Sequence, residues 1–193
     1  LIKDATCPLV KKVQMLANSL WKLGRQVIII GERGHSETKG IKGYTKNKAI
    51  IVENKKEAEK LPKFKKVAVV VQTTQDLINV NEILKILKEK YKKVKYFNTI
   101  CPEVLVRQKE AKLIAEKANG VLVIGSKSST NTKRLYQISK ASGKPVWWIN
   151  SLKELKKRMP KRTKSSLSVF GILSGTSADD AEIEKIKNYL LKK

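Results

Sequence analysis

Two Cys-Pro pairs, Cys7-Pro8 and Cys101-Pro102, stand 94 residues apart, and each leads into a segment of helical period. A thiol at a helix start faces free N–H groups and the positive end of the helix dipole, which lower its pKa and favour the thiolate, the form that binds metals. Two cysteines make no disulfide framework, and they fall short of the four thiolates that normally hold an iron–sulfur cluster. With His35, the only histidine, they could form a three-ligand zinc site with an open position. A third repeat could instead bring a third cysteine and leave one iron open to substrate. A single buried thiol is usually inert, but equivalent placement twice in one chain argues for use.

Glu37 stands two residues after His35. A carboxyl next to a buried centre has a raised pKa and can donate a proton, whereas on an open loop it is merely solvated. Ser128-Ser129-Thr130-Asn131 precede a helical pattern containing Leu135 and Ile138. They read either as an ordinary N-cap or as a phosphate site built from helix N–H groups and hydroxyls. Ser177, ahead of Ala178-Asp179-Asp180, admits the same two readings. No Walker motif or GxGxxG points to a nucleotide.

These residues need elements to place them. Short apolar runs at Gln26 to Ile30, Ala49 to Val52, Val67 to Val71, Val121 to Ile124, Val146 to Ile149 and Leu167 to Leu173 alternate with amphipathic stretches. That alternation predicts parallel α/β structure. Leu9, Val13, Leu16 and Leu20 give one helix, stopped by Gly24. Leu77, Val80, Leu84 and Leu87 give another. An internal repeat organises the rest: from Cys7 to Gly31 and from Cys101 to Gly125 is 24 residues in both cases. Each copy then has a polar loop (Gly34 to Glu37; Ser126 to Asn131) and a further strand running into hydroxyl residues (Gln72-Thr73-Thr74; Ser174 to Ser177). The expectation is two similar α/β units, 1–95 and 96–193, the second ending in a C-terminal helix. Their equivalent loops lie at the carboxyl ends of the strands, where open α/β sheets bind ligands, and would meet at a common centre if the units pack about a pseudo-symmetry axis.

The chain of 193 residues carries a formal net charge of +25, split +13 and +12 between residues 1–95 and 96–193. So large a basic excess usually points to nucleic acid. Its even spread, with no basic arm, and an aromatic content of only 6% argue instead for a Lys-solvated surface. The dense stretches Lys85 to Lys95 and Lys153 to Lys164 read as solvated helix faces. No apolar run approaches a membrane span and no signal peptide is evident, so the expectation is a soluble, unexported chain.

Six motifs occur together in one order: Asp4-Ala5-Thr6-Cys7-Pro8-Leu9-Val10, Gly34-His35-Ser36-Glu37, Gln72-Thr73-Thr74, Ile100-Cys101 with Arg107-Gln108, Gly125 to Asn131 with Arg134-Leu135, and Gly175-Thr176-Ser177-Ala178. In this the chain resembles the IspH/LytB family of 4-hydroxy-3-methylbut-2-enyl diphosphate reductases, which make isopentenyl and dimethylallyl diphosphate in the non-mevalonate route to isoprenoids. The resemblance implies three α/β units around a 4Fe-4S cluster held by three cysteines, of which two units are present here. It implies Cys7 and Cys101 as cluster ligands, the third coming from the family's first unit. His35, Ser129, Asn131 and Ser177, with Thr130 alongside, are implied as diphosphate ligands, Glu37 as the proton donor, and Thr73, with Thr74, as its partner near the substrate alcohol. It further implies an acidic electron donor such as ferredoxin or flavodoxin, no membrane or nucleic-acid partner, a cytoplasmic location (plastid stroma in a eukaryote), and an inactive chain when the first unit is absent. Gln14, Val71, Val106 and Asp179 depart from the family's pattern, and none of them is an implied site residue. The other readings of the same residues are a non-catalytic relative that binds nucleic acid through its basic surface, and the Cys/His zinc hydrolase.

Overall fold

Alternation of buried apolar strands with amphipathic helices builds two parallel-sheet α/β units in the computed structural model, which describes residues 4–159, 169–175 and 178–191. The units are Leu1–Cys101 and Pro102–Lys193. In the first, helix α1 (Pro8–Lys22) begins at Pro8, whose missing N–H and fixed φ suit a helix start. Gly24, at φ +69°, stops it. Strand β1 (Gln26–Ile30) follows, then α2 (Ser36–Gly43), β2 (Ile50–Val52), α3 (Lys55–Glu59), β3 (Val67–Val71), α4 (Leu77–Lys90) and β4 (Val94–Tyr96). The sheet order is β2-β1-β3-β4, all parallel. Val27 and Ile29 of β1 and Ala68 and Val70 of β3 pack on Val13, Ala17 and Leu20 of α1. This continuous apolar run with both faces covered is what a parallel sheet requires.

The second unit repeats the pattern with α5 (Pro102–Lys117), β5 (Gly120–Ile124), α6 (Thr130–Lys140), β6 (Val146–Ile149), α7 (Leu152–Arg158), β7 (Phe170–Ser174) and α8 (Asp180–Leu191). Its sheet order is β6-β5-β7, again parallel. Val121 and Val123 pack with Ala111 and Ala115 of α5 on one face, and Leu122 and Ile124 with Leu155 and Ile186 on the other. β1 and β5 thus hold the same central place, each flanked on one side by the next strand and on the other by the one after.

Two expectations are corrected. Lys85 to Lys95 is not one helical stretch: α4 ends at Lys90, the buried Tyr91 turns extended with its phenol donating to Pro62 O at 2.6 Å, and residues 94–96 form β4. An edge strand with one exposed lysine between two half-buried residues has too little apolar pattern to stand out from a Lys-rich helix. The first unit also runs on past residue 95, because residues 96–101 stay bound to β3: the Phe97 N–H donates to Val69 O and the Cys101 N–H to Thr73 O. The stretch Lys153 to Lys164 is helical as far as Arg158, and its residues 160–164 lie outside the described ones. No helix among the described residues is long and apolar enough to cross a membrane.

Candidate functional site

Both units carry their polar residues on the loop after the central strand and the helix that follows it. In the first unit Gly31 ends β1 where a Cβ would meet the side chains of Gln72 and Thr38 at 2.7 Å, so only glycine lets the loop pass that close. The chain then turns into α2. His35 is its N-cap, and Nδ1 accepts the N–H of Glu37 at 3.2 Å. One donor that the helix start leaves unpaired is thereby satisfied, and the imidazole is fixed at the mouth of the loop. The Thr38 hydroxyl, fully buried, donates to the carbonyls of Glu32 and His35 and ties the turn down.

Glu37 is 8% exposed. Its Oε1 accepts the Thr73 N–H at 2.7 Å and its Oε2 the Thr73 hydroxyl at 2.9 Å. Burial pushes this carboxyl above its ordinary pKa, against the two Thr73 hydrogen bonds and the nearby imidazole of His35, all of which favour the charged form. The peptide of Thr73 then reaches the backbone of Cys101: Thr73 O accepts the Cys101 N–H at 2.9 Å. One residue at the end of β3 therefore binds the acid through its N–H and hydroxyl and the cysteine backbone through its carbonyl. Thr74 is half-buried and accepts from Nε2 of the buried Gln72, whose Oε1 takes the Glu32 N–H. The structure thus brings His35, Glu37, Thr73, Thr74 and Cys101 to the carboxyl end of the first sheet. Cys7 is the exposed N-cap residue of α1 and makes no side-chain capping bond.

In the second unit Ser129 caps α6, its hydroxyl accepting the Thr132 N–H at 3.3 Å. Thr130 and Asn131 form the first turn and are buried. Asn131 is 2% exposed, yet among the described residues neither its Oδ1 nor its Nδ2 has a hydrogen-bond partner. A buried amide left unpaired costs roughly 1–3 kcal/mol, so its persistence at a helix N-terminus beside two hydroxyls marks a place prepared for a polar ligand. Ser177 lies outside the described residues; α8 begins at Asp180, with Asp179 Oδ1 accepting the Ala181 N–H.

The 94-residue spacing of the cysteines carries through the loops. It superposes His35 on Ser129, Ser36 on Thr130, Glu37 on Asn131 and Thr38 on Thr132. Applied to the sequence, the same offset would have singled out Thr38 and Thr132. Gln72 lies within the Gln72-Thr73-Thr74 motif, whereas Thr99, which also braces the site, carries no signal beyond lying near Cys101.

The family model described as LytB protein covers residues 1–191. The chain belongs to the LytB family. It is 41% identical over 189 residues to the 4-hydroxy-3-methylbut-2-enyl diphosphate reductase of Dictyoglomus thermophilum, which covers 98% of this chain and 65% of that protein. With the reductase of the same name from Caldanaerobacter subterraneus it shares 38% identity, covering 96% and 63%. The solved structure of the Plasmodium falciparum E-1-hydroxy-2-methyl-but-2-enyl-4-diphosphate reductase aligns with TM-score 0.87 at 29% identity, covering 96% of this chain and 58% of that one. The chain spans about 65% of the length of the curated relatives it matches. The zinc set of Cys7, His35 and Cys101 is not assembled: among the described residues no three of His, Cys, Asp and Glu come together as a metal site.

Proposed function

We propose that this chain supplies two α/β units of a 4-hydroxy-3-methylbut-2-enyl diphosphate reductase. The observation that carries the reading is the Glu37–Thr73–Cys101 linkage, in which a buried carboxyl with a raised pKa is joined through one threonine to a free cysteine. The reaction replaces an allylic C–OH bond by C–H: two electrons and two protons enter, and the hydroxyl departs as water. Glu37, protonated at Oε1 or Oε2, gives one of those protons, and Thr73, whose hydroxyl bonds that carboxyl, lies near the alcohol. Ser129, Thr130, Asn131 and Ser177 in the second unit, with His35 in the first, hold the diphosphate. The unpaired Asn131 amide offers a donor to a phosphate oxygen at the start of α6, where helix N–H groups already favour negative charge.

The two free thiols of Cys7 and Cys101 fit a cluster as part of its donor set and do not complete it, since the resemblance to the family implies three cysteine ligands and the sequence has two. Cys7 and Cys101, with a third cysteine from a further unit, would hold a 4Fe-4S cluster, which would supply the two electrons received from an acidic carrier. The basic surface then serves solubility and attraction of these anions rather than nucleic acid, and the cytoplasm or a plastid stroma is the fitting compartment.

The test is anaerobic reconstitution with ferrous iron and sulfide of the polypeptide holding these residues together with the third cysteine. A brown protein that converts the hydroxylated diphosphate to the two isoprenoid precursors is expected. Glu37→Gln should lower kcat by roughly 10² to 10⁴, the usual worth of a positioned general acid, with the cluster absorbance retained. A colourless protein that binds RNA would overturn the reading.

A further inference from the structure

Each polar loop is braced from the neighbouring strand, and the brace follows the repeat. Ile29 pairs with Ile51 as Val123 pairs with Trp148, so Ile51 matches Trp148, Glu53 matches Asn150 and Glu57 matches Glu154. In the first unit Arg33, two residues past Gly31, donates from Nη2 to Ile51 O at 3.4 Å. In the second Lys127, two past Gly125, donates from Nζ to Trp148 O at 3.0 Å. Asn54 and Ser151 cap α3 and α7 by accepting the N–H groups of Glu57 and Glu154. The carboxylates of these glutamates accept the N–H groups of Glu53 and Asn150, at 3.1 and 2.9 Å. One frame therefore occurs twice.

The two copies differ in charge. The first loop is held by carboxylates: Glu53 accepts the Arg33 N–H, and Glu57 pairs with the Arg33 guanidinium at 2.8 Å. The second is held by a neutral donor, the Trp148 indole N–H, which bonds Gly125 O at 2.9 Å. The Lys127 ammonium lies 4.3 Å from the centre of the Trp148 ring, where the π face attracts a cation. Tyr136 of α6 packs on the same ring, with centroids 5.3 Å apart. Glu154 pairs with Arg158 at 3.1 Å, and Arg158 adds a second bond to Trp148 O at 3.2 Å. The first brace thus joins one cation to two carboxylates, and the second joins two cations to one. Burial, and then Arg158, press the Lys127 ammonium below its ordinary pKa, with Glu154 opposing. The difference suits the residues that each loop presents. The first leads to the acid Glu37, whereas the second leads to Ser129, Thr130 and the buried, unpaired Asn131 amide, where a carboxylate in the brace would oppose an anion.

We propose that Trp148 is a positioning residue for the anion-binding loop of the second unit: it braces Gly125 to Ser129 and the start of α6 through an uncharged donor and a π-held lysine, in place of the carboxylate that braces the first loop. That the anion is a diphosphate rests on the reductase reading; the brace itself does not.

Trp148→Phe and Asn150→Glu separate position from charge. Both are made in the reconstituted reductase, and binding of inorganic diphosphate is followed by calorimetry beside turnover. Trp148→Phe keeps a ring for Tyr136 and Lys127 and deletes the indole N–H. It should weaken inorganic diphosphate and raise KM by roughly three- to tenfold, the usual worth of one hydrogen bond, at unchanged kcat and at every salt concentration. Amide exchange at Ser129 and Thr132 should quicken, while Leu122 and Val123 of β5 keep their rates. Asn150→Glu puts the first unit's carboxylate into the second frame. It should leave exchange as it is and weaken inorganic diphosphate by roughly tenfold at low salt, an effect that fades as salt screens the charge. No change in affinity with Trp148→Phe overturns the positioning, and none with Asn150→Glu overturns the charge argument. Faster exchange throughout β5 and α6 in Trp148→Phe also overturns the proposal, since it makes Trp148 a stabilising residue only. A parent protein that binds inorganic diphosphate and does not turn over the hydroxylated one breaks the reductase reading, and the affinities and exchange rates still decide the brace.

Discussion

Glu37 gathers the opposing forces of the site into one carboxyl. Two hydrogen bonds from Thr73 and the imidazole of His35 favour the anion, burial favours the acid, and burial prevails. A proton donor must be protonated to work, so turnover is expected to fall as pH rises through the raised pKa. Thr73→Val removes the hydroxyl bond to the carboxylate and keeps the backbone one. With less to stabilise the anion, the falling limb of kcat against pH should move to higher pH. A limb that stays in place, or moves lower, would show that another group controls it. Stability gives a second reading that needs no turnover. A carboxyl whose folded pKa exceeds its unfolded value contributes stability below the unfolded pKa and loses it as pH climbs through the folded one. Glu37→Gln has no such loss, so its melting temperature should gain on that of the parent chain across that window, followed by circular dichroism against pH.

Elements with strong apolar period were readable from the sequence because a parallel strand buried on both faces leaves a continuous run; β1 and β3 span the residues that their runs mark out. β4 was not, since Val94-Lys95-Tyr96 has three residues, a lysine and one open side. The site divided in the same way. Chemistry-bearing residues such as His35, Glu37 and Asn131 stood out by type, whereas the residues that hold them, Thr38, Thr132 and Thr99, matter through contacts that no local pattern encodes. Thr132 shows this best. It is fully buried, and a Cβ added to Gly175 would meet its hydroxyl at 2.0 Å, one added to Gly125 at 2.7 Å. The start of α6 is thereby wedged between the ends of β5 and β7. Gly175→Ala should cost about 1–3 kcal/mol, the usual penalty for overpacking. In a Thr132→Ala background the same change should cost far less, because the nearest atom has gone. Urea unfolding of the four proteins of this cycle measures the coupling; additive costs would mean that the glycine is needed for another reason.

For the whole molecule the governing quantity is the charge of +25, spread evenly along the chain. Many lysines and arginines have no acidic partner to meet, with 42 of them against 17 acidic residues. The ion pairs that do form are largely exposed, as with Lys11 and Asp4 at 2.7 Å, and contribute little to folding. The excess therefore acts outward, as a field over the surface that raises the encounter rate of anions. An acidic protein donor carries many charges and should feel that field strongly; an uncharged or cationic chemical reductant should not. Within the reconstituted reductase, the second-order rate of reduction by an acidic ferredoxin or flavodoxin is expected to drop on the order of tenfold or more between low salt and about 0.5 M, where the screening length shrinks to a few ångströms. Reduction by a cationic viologen should be flat or rise with salt, since like charges are then screened from each other. On the proposed reading a diphosphate substrate falls between: held at a helix start and by buried side chains, it should show a KM that rises by less than the donor's rate falls. Equal salt dependence for all three would show that ionic strength is acting on the fold or the cluster, and would remove steering from the account of why the chain is so basic.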